Sequence, residues 1–160
     1  MGLAAALLKE TARAGVMLCC AESCTGGLVA AALTDLPGSS AMMERGFVTY
    51  TNRAKVEMLG VSEQTLERFG AVSEQVAGEM ARGALGRSGA QVAVAITGIA
   101  GPGGSEHKPE GRVCFGIAYA DKTQVQTQEF GAKGRTQVRL AARDHALALL
   151  LSTVRKLPSI

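Results

Sequence analysis

The chain has 160 residues, with 17 Lys and Arg against 14 Asp and Glu for a net charge of +3, and 47% hydrophobic against 19% charged residues. That length suits one domain, over 1–160, able to bury roughly two thirds of the surface its unfolded form exposes, and the composition excludes a disordered chain. The mild, unclustered basic surplus and 4% aromatic content without Trp argue against a nucleic-acid partner, and no apolar run approaches the roughly 20 residues of a membrane span.

Four cysteines occur, at Cys19, Cys20, Cys24 and Cys114, and none forms a Cys-x-x-Cys pair. Only His107 and His145 could complete a metal set, so no metal is expected. The thiols read as small, reduced core residues of a cytoplasmic protein. Met1 to Leu8 lacks the basic start of a secretory leader, which agrees with that location.

In chain order, Leu3 to Ala14 is Ala/Leu-rich and helical, with Gly15 as its C-cap. Val16 to Cys20 suits a buried strand, and after the turn residues Ala21 to Gly27 a helix runs from Leu28 to Leu33. Pro37-Gly38-Ser39-Ser40 forms a turn ahead of a strand over Gly46 to Tyr50. Thr51-Asn52 caps a helix that ends at Gly60, and Ser62 and Ser73 cap two more, the second running to about Leu85. Gln91 to Ile96 is a strand entering the loop Thr97 to Gly104. Two further strands, Arg112 to Ala120 and Gln124 to Phe130, are joined at Asp121-Lys122, and a final helix covers Arg135 to Lys156. The order predicts one α/β domain with helices on both faces of a mixed sheet, its last two strands antiparallel.

The glycines sit beside hydroxyl residues, and two such segments follow a strand: Ser23 to Gly27 and Thr97 to Gly104. In open α/β sheets ligands gather beyond the carboxyl ends of strands. A helix opening at Thr25-Gly26-Gly27 points backbone N–H groups outward, which favours a phosphate or carboxylate, although both segments also read as plain tight turns. Neither matches a dinucleotide or P-loop motif. A serine attacks an amide only when a base removes its proton, and with no Asp-His pair in place a lysine is the next candidate. Lys55 falls in the first turn of its helix, where the dipole disfavours the ammonium form of a group that ordinarily titrates near pH ~10.4. From spacing alone it reads first as a solvated helical lysine. Ser39 or Ser40 reads first as a cap and then as a nucleophile, Tyr50 as a core-edge residue, and Arg135 and Arg139 as surface charges or phosphate clamps. Glu22 either orients a donor or simply follows its strand.

Taken together, Ala-Glu-Ser-Cys-Thr-Gly-Gly (21–27), Pro-Gly-Ser-Ser-Ala (37–41), Arg-Gly-Phe-Val-Thr-Tyr-Thr-Asn (45–52), Gly-Ala-Val-Ser-Glu (70–74) and Thr-Gly-Ile-Ala-Gly-Pro (97–102) resemble the CinA C-terminal domain family. These are nicotinamide-nucleotide amidohydrolases, and the match is in order over nearly the whole chain. The resemblance implies hydrolysis of the carboxamide of nicotinamide mononucleotide to nicotinate mononucleotide and ammonia. It also implies a three-layer α/β/α fold with a mixed, mostly parallel sheet, no cofactor, a stand-alone form and a homodimer.

Carried over by motif, Ser40 is the nucleophile, Lys55 its general base and Tyr50 an aid to proton relay or amide positioning, with Ser23 the rival nucleophile. Ser23, Thr25, Gly26, Gly27, Thr97, Gly98 and Gly101 line the pocket, and Arg135 meets the phosphate. Two departures from the family pattern stand out: Gly134 where relatives carry an Asp before the arginine, and a shorter loop after Pro102. Other readings of the same residues are a catalytically silent nucleotide-binding module and, less in keeping with the composition, a DNA-associated accessory protein.

Overall fold

The computed structural model describes residues 2–105 and 107–160. Its elements in order are α1 (Leu3–Ala14), β1 (Leu18–Glu22), α2 (Leu28–Leu33), a single 3-10 turn (Ser39–Ala41), β2 (Met43–Val48), α3 (Asn52–Leu59), α4 (Glu63–Phe69), α5 (Glu74–Gly86), β3 (Val92–Gly98), β4 (Arg112–Tyr119), β5 (Lys122–Glu129) and α6 (Arg135–Arg155). The sheet runs β2-β1-β3-β4-β5. β1 is parallel to both β2 and β3, while β3–β4 and β4–β5 are antiparallel. The sheet is therefore mixed, its pairings divided evenly between the two kinds.

Side chains alternate across the pleat and divide the core in two. Leu18, Cys20, Val92, Val94, Ile96, Val113, Phe115 and Ile117 face α1, α2 and α6. Cys19, Ala21, Ala93, Ala95 and Ala118 face the other way, toward α5 and the end of α3. Burying each Val, Leu, Ile or Phe of the first layer contributes about 1.5–3 kcal/mol. The second layer is made of small residues, so the helices there come in close. A Cβ on Gly83 of α5 would stand 1.9 Å from the Leu59 carbonyl oxygen, and one on Gly116 of β4 would stand 2.4 Å from that of Ala77.

Local signals place most helix ends. Thr51, Ser62 and Ser73 each accept a backbone N–H three residues on, and Gly15 and Gly60 close α1 and α3 in the left-handed conformation. The strands differ more from expectation. β1 lies two residues later than the apolar run Val16 to Cys20, because it continues through the charged but wholly buried Glu22. β2 begins at Met43 and ends at Val48 because an edge strand tolerates the polar pair Glu44-Arg45. Tyr119 pairs with Lys122, so the hairpin turns at Ala120-Asp121, one residue earlier than expected.

The chain leaves β1 through α2 on one face and reaches β3 through α3 to α5 on the other. β1 thus has its two parallel neighbours on opposite sides, and its carboxyl end opens a crevice at the point where the strand order reverses.

Candidate functional site

Register brings the carboxyl ends of the three parallel strands together. Glu22 stands opposite Val48 and Ile96, so Ser23 projects just beyond the sheet beside Thr49 and Thr97. The Ser23 N–H donates to Ile96 O at 3.0 Å, which fixes the residue at the strand end.

From β2 the chain turns through Thr49 and Tyr50 into α3, whose first turn returns Lys55 to the same place. Lys55 is 1% exposed. Its Nζ lies 3.0 Å from Ser23 Oγ and donates to the carbonyls of Thr49 at 3.0 Å and Tyr50 at 3.2 Å. A buried amine is costly unless hydrogen-bonded, and the carbonyls that hold it belong to the segment leading into its own helix.

Ser23 and Lys55 lie at the base of a cavity of about 310 Å³, walled by Ala71-Val72, the loop from Thr97 to Ser105, Tyr50 and Arg135. Thr97, 1% exposed, donates from Oγ1 to Ala71 O at 2.9 Å and ties β3 to the stretch ahead of α5. Lys108 closes the same wall from outside, donating to Phe69 O at 2.7 Å and Val72 O at 2.6 Å. Gly101 has φ +90°, and a Cβ there would stand 2.5 Å from the Glu110 side chain, so glycine is needed where the loop bends over the pocket. At the rim, Arg135 opens α6 and donates to Gly101 O at 2.8 Å and to the Tyr50 hydroxyl at 2.9 Å.

The structure thus brings together Ser23, Tyr50, Lys55, Thr97, Gly98, Gly101 and Arg135 of the expected set. It does not bring Ser40 to Lys55. Ser40 is exposed in the 3-10 turn that precedes β2, whereas Lys55 follows β2's far end. A six-residue strand and its flanks separate the two by roughly 20 Å. The hydroxyl beside the Lys55 amine is that of Ser23, the rival candidate of the sequence reading.

Thr25, Gly26 and Gly27 lie behind the cavity rather than on its surface. The helix start they form is filled by the chain's own carboxylate. Glu22 Oε1 accepts the N–H groups of Gly27 at 3.1 Å and Val29 at 3.0 Å, and Oε2 accepts that of Ala30 at 3.0 Å. The expected outward-pointing amides are therefore not offered to a ligand. Thr25 Oγ1 is buried without a hydrogen-bond partner among the described residues.

Two roles escaped the sequence reading, which took Arg139 for a surface charge or phosphate clamp and Asn52 for part of a helix cap. Arg139, one turn into α6, donates to Cys24 O at 3.0 Å and Thr25 O at 3.2 Å, pinning the turn behind Ser23. Asn52 lines the cavity three residues before Lys55, on the same helical face. Its place in the Tyr-Thr-Asn word was the available signal.

The thiols are shut away. Burial pushes Cys24 up to about 12 and Cys19 up to about 11, and holds Cys20 well above and Cys114 above the ordinary thiol range. Cys24, although it borders the cavity, is therefore a poor nucleophile beside Ser23. Among the described residues no His, Cys, Asp and Glu group could hold a metal ion, and no helix is long and apolar enough to cross a membrane. A larger groove of about 580 Å³ lies between α5 and β5, but its Arg82 is committed to the carbonyls of Ala120 and Lys122.

Comparison with known proteins gives a consistent picture. A model of the CinA C-terminal domain matches residues 1–154. The nicotinamide-nucleotide amidohydrolase PncC of Enterobacter agglomerans is 55% identical over 138 residues, covering 86% of this chain and 84% of that protein. The PncC of Escherichia coli K12 is 53% identical over 137 residues, covering 85% and 83%. A CinA-like protein of Chlorobium phaeobacteroides is 49% identical over 154 residues, of which the chain spans only 36% of the relative's length. Among solved structures, the competence/damage inducible protein CihA from Agrobacterium tumefaciens superposes with a TM-score of 0.92 at 49% identity, over 96% of this chain and 94% of that one.

Proposed function

We propose, since the chain belongs to the CinA C-terminal domain family, that it hydrolyses the carboxamide of nicotinamide mononucleotide to nicotinate mononucleotide and ammonia, with Ser23 as nucleophile and Lys55 as general base. The observation that carries this reading is the buried Lys55 Nζ at 3.0 Å from Ser23 Oγ, at the base of a cavity.

In this reading Lys55 works as the neutral amine. Held on the Thr49 and Tyr50 carbonyls, its nitrogen faces the Ser23 hydroxyl at 3.0 Å. Ser23 Oγ bonds to the carboxamide carbon as its proton passes to Lys55. The resulting oxyanion is met by backbone N–H groups of the surrounding loops, an interaction worth about 10²–10³ in rate per donor. The C–N bond then breaks as Lys55 returns the proton to the departing nitrogen, which leaves as ammonia. Water, deprotonated by the same amine, attacks the acyl-enzyme and frees Ser23.

Arg135, at the rim with the Tyr50 hydroxyl against it, is the cation for the substrate phosphate. Gly134 and the short loop after Pro102 bear on that contact and leave the reacting pair unchanged. A homodimer and a cytoplasmic setting complete the reading, as the family resemblance implies.

The test is ammonia release from nicotinamide mononucleotide. Wild type turns over; Ser23→Ala and Lys55→Ala lose at least about 10³-fold, and Ser40→Ala keeps its rate within about twofold. A dead Ser40→Ala beside an active Ser23→Ala reverses the nucleophile. Binding without ammonia in the wild type makes the protein a nucleotide-binding module instead.

A further inference from the structure

The start of α2 has an unusual complement of partners. A helix begins with several backbone amides that no preceding turn can satisfy. Here Leu28 N donates to Thr25 O at 3.0 Å, and the amides of Gly27, Val29 and Ala30 all end on the Glu22 carboxylate. Every first-turn amide is thereby satisfied, three of them by one side chain that is 0% exposed and lies upstream on β1.

That side chain closes a loop over the residues between. From the Glu22 backbone the chain passes through Ser23, Cys24, Thr25 and Gly26, and at Gly27 it is caught by the Glu22 carboxylate. Inside the loop, Gly26 N donates to Ser23 O at 3.0 Å. The Glu22 carbonyl also accepts Thr49 N at 2.8 Å, and the Thr49 carbonyl in turn holds Lys55 Nζ. Glu22 is thus joined to both members of the reacting pair, to Ser23 by covalent succession and to Lys55 through Thr49.

The geometry points to Glu22 as a positioning residue for the Ser23–Lys55 pair: its carboxylate locks the Ser23–Gly26 turn and so sets the direction of the Ser23 hydroxyl. Its role runs through the turn that carries Ser23. This inference rests on the reading of Ser23 as nucleophile given above.

Glu22→Gln is the informative change because it keeps length and shape. A carboxamide has one acceptor end and one donor end. Whichever way it turns, its NH₂ meets at least one of the three backbone N–H groups, donor against donor, and the turn loosens. The expected result is a folded protein whose kcat for nicotinamide mononucleotide falls at least tenfold while KM stays within about threefold, because the binding surfaces at Arg135 and Thr97 are untouched. Full activity in Glu22→Gln overturns the inference. So does a parallel change in kcat and KM that tracks lost stability, since that is what mere loss of structure does.

Should Glu22→Gln fail to fold, backbone hydrogen exchange on the wild type decides. The amides of Gly27, Val29 and Ala30 are expected to exchange as slowly as those of β1, and fast exchange at these three overturns the lock. That measurement needs no substrate. A wild type that releases no ammonia therefore fails the reading of the reaction, while the exchange rates still judge Glu22 on their own.

Discussion

The hydroxyl of Tyr50 and the guanidinium of Arg135 meet at 2.9 Å across the mouth of the cavity, joining the end of the β2 connection to the first turn of α6. Tyr50 is 58% exposed, so its ring covers little and its hydroxyl acts mainly on the arginine. Tyr50→Phe removes the acceptor and frees one arm of the guanidinium. KM for the nucleotide is expected to rise about 2- to 5-fold, the worth of a solvent-exposed hydrogen bond to a cation, with kcat nearly unchanged. Steady-state kinetics checks this; a fall in kcat with constant KM would move Tyr50 into the proton relay instead.

Under the proposed mechanism Lys55 serves the reaction rather than the fold. A methionine has nearly the same length and no amine to desolvate or deprotonate on folding, a gain that offsets the hydrogen bonds lost at the Thr49 and Tyr50 carbonyls. Lys55→Met is therefore expected to stay folded, within about 1 kcal/mol of wild-type stability, while losing ammonia release entirely. Thermal melts and the ammonia assay on one preparation check both halves. A variant that is active, or that fails to fold, contradicts the assignment.

The four thiols give a pH-linked prediction. An unfolded cysteine titrates near pH ~8.5, so a fair fraction is thiolate at pH 8. In the fold, burial raises Cys19 to about 11 and Cys24 to about 12, with Cys20 and Cys114 also raised. Because the thiolate is the reactive form, native protein at pH 8 is expected to leave a disulfide reagent such as dithionitrobenzoate almost unconsumed. In denaturant all four should react. Rapid labelling of any of them in the native state would show that its side of the sheet opens.

Gly83 tests the coupling between core and site. Its missing side chain lets α5 approach the end of α3, where a Cβ would stand 1.9 Å from Leu59 O. That contact is with backbone and cannot be relieved by a rotamer change. Gly83→Ala is expected to destabilise the protein by about 3 kcal/mol and, by pushing on α3, to disturb Lys55 as well. Urea unfolding and the rate at low temperature, where the variant stays folded, report the two effects separately.

Much of this was legible in the sequence because the signals are local. The caps Thr51, Ser62 and Ser73 and the terminators Gly15 and Gly60 mark helix ends by their own chemistry, and each is used as read. Strand limits were less legible because they depend on neighbours. Glu22 belongs to β1 only because α2 supplies the amides that satisfy it, and no pattern within the strand announces that. The pocket residues Thr97, Gly98, Gly101 and Arg135 were recoverable from family words. The pairing of Ser23 with Lys55 stood only as the rival to Ser40, because the residues lie 32 positions apart and only strand order and register place them side by side. Ser40, nearer along the chain, is carried away by the length of β2.

The cavity draws its walls from Ser23, from Tyr50 to Lys55, from Ala71-Val72, from Thr97 to Ser105 and from Arg135, so three strands and both helical layers must dock before it exists. No single hairpin or helix pair holds a working portion of it. Ammonia release thereby doubles as a gauge of how much of the population is whole: on heating, it should vanish in step with global melting rather than ahead of it, and halves of the chain made separately should be silent until they reassemble.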